Sequence, residues 1–180
     1  KPLFAPFVEM YRTKKFFVMV SQFIVGLGFI AVGMVMSVPD SMLMVLALFW
    51  IMSFVGATMD IASDGVYVTS LNNRDQALYC GMQSLAWNLA PIVCGGALIV
   101  LSNYLHTQVF KHDATKFGPE WIESWRIIFF IVGGLTLAMV AWHRIFMPSG
   151  AKAENTPASV PQAGRILVDS IVTLFQKKGI

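Results

Sequence analysis

Residues 76–104 read QALYCGMQSLAWNLAPIVCGGALIVLSNY, a stretch without one Asp, Glu, Lys or Arg. A helix rises ~1.5 Å per residue, so this run exceeds the ~30 Å of a bilayer's hydrocarbon core. Working outward, residues 16–37 form another uncharged run, and residues 42–71 a third, broken only by Asp60 and Asp64. A fourth, 125–146, has an uncharged centre from Ile127 to Trp142 between Arg126 and His143-Arg144. The pattern predicts an all-α membrane protein with four transmembrane helices.

Composition agrees. Hydrophobic residues make up 56% of the 180 residues and charged ones 13%, with a mean hydropathy of +0.65. A soluble domain carries about twice that charge to solvate its surface, which excludes a soluble single-core enzyme and a disordered chain. The net charge of +3 is no nucleic-acid footprint, because the cations sit in short segments between apolar runs instead of on one exposed face. Cys80 and Cys94 fall inside one apolar run and read as small hydrophobes. No cleavable signal, phosphate cradle or nucleophile–base arrangement is visible.

Four spans put both ends on one side. That side holds Lys1, Arg12, Lys14, Lys15, Arg74, Arg144, Lys152, Arg165, Lys177 and Lys178, against Lys111, Lys116 and Arg126 on the other. The positive-inside rule then places both ends in the cytoplasm. Residues 1–15 read as a cytoplasmic loop after the inner end of a preceding helix, so the chain reads as a fragment. Residues 149–163 read as a cytoplasmic linker. Residues 164–180 have an amphipathic spacing suited to a helix at the membrane surface or against another part of the protein.

Asp60 and Asp64 are the sharpest feature. At i and i+4 they share one helix face, which Ser53, Gly56 and Ala57 continue with small residues. An Asp at the centre of a membrane helix costs roughly 2.5–3.5 kcal/mol, so the pair should face protein or water. Counted from Met42 they lie ~27 and ~33 Å along the helix, near the edge of the hydrocarbon. Several roles fit. The pair can pin the helix end to Arg12, Lys14, Lys15 or Arg74, form a gate from the same pairs, carry a proton, or hold magnesium as in membrane prenyltransferases.

In the third span Gln83 and Trp87 share a face with Asn88 beside it. Asn88 lies ~18 Å from Gln76, near the bilayer midplane, where a cavity role and an interhelical hydrogen bond are both open. Pro91 and Gly95-Gly96 would permit a bend and a close helix approach. His106, His112 and Asp113 read as a solvated polar loop.

Residues 6–15, PFVEMYRTKK, resemble the acidic-then-basic loop between helices two and three of major facilitator transporters. Ala57-Thr58-Met59-Asp60-Ile61-Ala62-Ser63-Asp64-Gly65 resembles helix four of muropeptide permeases and acetyl-CoA transporters, and His143–Pro148 resembles the close of helix six. Three positions depart from that pattern. Glu9 stands for Asp, Met59 for Gln, and Asn88 for an Arg of the muropeptide permeases. The resemblance covers nearly the whole chain, as helices three to six of a twelve-helix fold. It implies alternating-access import of a cell-wall peptide or related small solute, coupled to protons, in a bacterial inner membrane. It also implies a gate of Asp60, Asp64, Glu9, Arg12 and Lys15, and a cavity of Gln83, Trp87 and Asn88. The partners are then the solute, protons, the bilayer and the remaining helices of the transporter, with no nucleic acid, cofactor or metal. The rival class is a magnesium-dependent membrane enzyme using Asp60 and Asp64; a helical scaffold is the third.

Overall fold

The computed structural model describes residues 13–116 and 118–150, with Arg165, Val168, Val172 and Thr173. Among them there are helices and no strand. Four helices are long and apolar enough to cross a membrane: α1 (Lys14–Val35), α2 (Met42–Ser70), α3 (Asn73–Val109) and α4 (Trp121–Phe146). Residues 1–12 and 151–164 lie outside the described residues. Of the expected amphipathic helix, Arg165, Val168, Val172 and Thr173 are helical and the rest lie outside as well.

The helix ends follow local chemistry. Thr13 caps α1, its hydroxyl accepting from the Phe16 amide at 3.3 Å, so α1 starts two residues before the expected Phe16. The Asn72 side chain accepts from the Asp75 amide at 2.8 Å. This cap and the carboxylate of Asp75 in the first turn extend α3 back to Asn73, three residues earlier than its uncharged run. The turn between α2 and α3 is stitched further. The Tyr67 hydroxyl donates to the Gln76 backbone carbonyl at 2.6 Å, and Gln76 Nε2 donates to the Leu71 and Val68 carbonyls at 2.8 and 3.0 Å.

α3 is not a regular α-helix. It is α-helical through Asn73–Pro91, π-helical over Ile92–Ala97, α-helical again over Leu98–Tyr104 and π-helical over Leu105–Val109. Pro91 has no N–H to offer the turn before it, so the hydrogen-bond ladder loses a rung there and the next turn widens. α3 therefore runs five residues beyond the expected Tyr104. α4 starts at Trp121, four residues before the expected 125.

α1 is the central helix, packed between α2 and α4. Glycines make its contact with α4 close. A Cβ on Gly26 would meet Leu137 at 2.8 Å, one on Gly33 would meet Phe130 at 2.8 Å, and one on Gly133 would come 2.9 Å from the Gly26 carbonyl oxygen. Gly26 and Gly33 are seven residues apart and share a face. In lipid, where apolar side chains gain nothing by leaving solvent, such backbone approach supplies the attraction. Phe29 stacks on Phe129 with centroids 6.2 Å apart, and Gln22 Oε1 lies 2.8 Å from His143 Nδ1. The expected close approach at Gly95 and Gly96 is not made: a Cβ there meets nothing within 4 Å among the described residues. α3 likewise buries no residue of Asn73–Pro91.

Candidate functional site

On α2 the buried positions are Met52, Ala62 and Val66, and Ala62 joins Val18 of α1 in a small core with Phe17, Met59 and Met147 against it. At 100° per residue, Asp60 and Asp64 lie two steps either side of Ala62, on the opposite face of the helix. Their position away from α1 follows from that spacing. Across from them stands α3, with Gln83 and Trp87 one turn apart and Ser84 and Asn88 one turn apart beside them.

Between the two helices lies a cleft of about 440 Å³, lined by Asp60, Ser63 and Asp64 from α2 and Gln83, Ser84, Trp87 and Asn88 from α3. The carboxylates and the three polar or aromatic residues singled out on α3 thus share one cleft. Ser63 and Ser84 were missed. Ser63 lies three residues after Asp60 and so shares its face, and Ser84 precedes Asn88 by one turn. Helical spacing alone could have flagged both. Asp60 is half-buried and Asp64 exposed. Trp87 lines the cleft and is 72% exposed. The Asn88 side-chain amide donates to the Ser84 carbonyl at 2.8 Å, which leaves its carbonyl oxygen as an acceptor. The cleft therefore offers acids, neutral hydrogen-bonding groups and an aromatic surface within one space. Among the described residues no group of three or more His, Cys, Asp or Glu is placed to hold a metal.

The other expected members lie elsewhere. Glu9 and Arg12 are outside the described residues. Lys15, expected beside the carboxylates, instead donates from Nζ to the Arg144 carbonyl at 2.8 Å. The last carbonyls of α4 have no partner within their own helix, and a cation there also suits the negative end of the helix dipole. Lys14 is buried, and its stem runs over Gly65, where a Cβ would come 2.9 Å from Cδ. The glycine closing the Asp motif thus has a packing reason. Because the obstructing atoms belong to a flexible stem, Gly65→Ala is expected to be tolerated. The displaced stem and the gain in helix propensity, each about 1 kcal/mol, offset one another. The thermal midpoint of the purified protein checks this.

At the far end of α3 the structure corrects the solvated-loop reading. His106 is fully buried and stacks on Trp121, centroids 3.9 Å apart and planes 12° from parallel. The π-helical continuation past Tyr104 carries His106 onto α4 instead of into solvent. Asp113 is exposed as expected. The Thr115 amide and then its hydroxyl, bonded to the carboxylate at 3.0 and 2.8 Å, hold its pKa below the usual range.

A family model described as the BT1 family matches residues 6–156, which include all four helices and the whole cleft. The chain belongs to the BT1 family. This is a transporter family of the major-facilitator-like group, so this BT1-family chain is a multi-pass integral membrane protein. The match names neither muropeptide permeases nor acetyl-CoA transporters. No curated protein and no solved structure matches the chain.

Proposed function

We propose that this chain is part of an alternating-access transporter in which the cleft between α2 and α3 receives the solute and a coupling proton. One observation carries the reading: two membrane-crossing helices bring Asp60, Asp64, Gln83, Trp87 and Asn88 to a single cleft. Carboxylates are costly in a membrane helix unless they serve a water-filled path or a partner. Amides and an indole beside them supply the orienting polar groups and apolar surface that small-molecule sites combine.

In this reading α3, unburied through Asn73–Pro91, is covered by further helices of a twelve-helix major facilitator fold, and the two halves rock about the cleft. Glu9, Arg12 and Lys15 form a cytoplasmic gate with the Asp pair. Lys15, bound to the Arg144 carbonyl in this conformation, exchanges that partner for a carboxylate in the other. The cargo class implied by the Ala57–Gly65 resemblance is a cell-wall peptide or related small solute, imported with protons across a bacterial inner membrane.

The test is uptake of labelled solutes by cells or liposomes carrying the intact transporter, starting with muropeptides. Uptake is expected to require an inward proton gradient and to collapse when a protonophore is added. Uptake indifferent to the protonophore would overturn the coupling. Magnesium-dependent product formation lost in Asp60→Asn, with no uptake, would overturn the transporter reading.

A further inference from the structure

Beyond the cleft, the opposite end of α3 holds a second cluster of titratable groups. His112 Nδ1 lies 3.6 Å from Glu120 Oε2, and its Nε2 lies 3.7 Å from Glu123 Oε2. Each ring nitrogen thus faces a separate carboxylate, both belonging to the first turn of α4 or its cap. On the other side His112 is tied to the end of α3, which it follows by three residues. Its amide donates to the His106 carbonyl at 3.0 Å, and its ring lies 5.1 Å from that of His106. His106 in turn stacks on Trp121, whose indole N–H donates to the Lys116 carbonyl at 3.0 Å.

We propose that His112 is a proton-operated clasp tying the end of α3 to the start of α4, closed when its imidazole is cationic and released when it is neutral. The reason is donor arithmetic. A neutral imidazole has one N–H and one lone pair, so one of its nitrogens necessarily turns a lone pair toward a carboxylate. The cation turns an N–H toward each carboxylate, and its charge attracts Glu120 and Glu123 together across 3.6 and 3.7 Å. Protonation of the ring therefore closes the clasp, and loss of that proton opens it. His106 supplies the stacking surface between His112 and Trp121. The remaining charges nearby are Lys111, Asp113 and Lys116 of the connecting segment, and Arg126 one turn further along α4. The clasp has leverage on α3 because Leu98–Val109 is the stretch that packs on α4, whereas nothing in Asn73–Pro91 is buried.

Hydrogen exchange of the intact protein in lipid nanodiscs tests this, compared at about pH 5.5 and about pH 8. After correction for intrinsic exchange, residues 105–123 are expected to exchange roughly two- to fivefold more slowly at the acidic pH, the ratio that exposed ion pairs carry. His112→Gln should bring that ratio to about one, and so should Glu120→Gln with Glu123→Gln. A wild-type ratio of one overturns the proposal, and so does a ratio that survives in His112→Gln, which would assign the titration to another group. Exchange across α1 reports whether each variant is folded. If His112→Gln loosens α1, the double glutamine variant, made at half-exposed carboxylates, decides alone.

Discussion

Asp60→Asn is expected to abolish proton-driven uptake while leaving solute exchange across the membrane intact. Asn keeps the size and the acceptor oxygen of Asp but can neither hold nor release a proton in the working range. Removing a group that transfers a proton in the working step lowers rates by roughly two orders of magnitude. Counterflow, in which labelled solute exchanges for unlabelled solute without net proton movement, does not need that step. Asp60 is chosen over Asp64 because it is the half-buried member of the pair lining the cleft. Asp64→Asn, at an exposed position, should lose less. Loss of both uptake and counterflow in Asp60→Asn would instead make the carboxylate a direct solute contact. Retention of both would leave it a structural role alone.

How much of this was legible before the structure depends on which force decides each feature. The spans were legible because the bilayer imposes one rule on every residue within it: uncharged and long enough. Their ends were off by several residues wherever a cap or a widened turn decided the matter, as at Thr13, Asn72 and the stretch after Tyr104. The facing of Asp60 and Asp64 away from α1 is implicit in their spacing about Ala62, and the clustering of Gln83, Trp87 and Asn88 in theirs. That these two groups share a cleft is tertiary, and no local pattern contains it.

Other features were hidden for the same reason. The partner of Lys15 is a backbone carbonyl, which every residue possesses and no side-chain pattern advertises. His106 sits among polar residues and reads as solvated, yet a π-helical turn and one tryptophan bury it. Helix pairing was the least legible feature. Small residues mark possible close approaches, and the chain has them on all four helices. The glycines of α3 meet nothing among the described residues, while Gly26, Gly33 and Gly133 carry the α1–α4 contact.

That contrast makes a paired prediction with a large expected difference between adjacent residues. Gly133→Ala places a methyl group 2.7 Å from Ile30 Cγ1, 2.9 Å from the Gly26 carbonyl oxygen and 3.2 Å from the Ile30 amide nitrogen. Two of those neighbours are backbone of a buried helix face and cannot swing aside as the Lys14 stem can at Gly65. The helices must separate, at an overpacking cost of about 1–3 kcal/mol and with loss of the close contact that holds them in lipid. Gly134→Ala meets nothing within 4 Å and gains up to ~1 kcal/mol of helix propensity. In thermal or denaturant unfolding of the purified protein, Gly133→Ala should therefore melt well below wild type and Gly134→Ala at or slightly above it. Equal midpoints for the two would mean that α1 and α4 do not meet through Gly26 and Gly133. A low midpoint for Gly134→Ala alone would place the close contact on the neighbouring face of α4, about 100° around the helix.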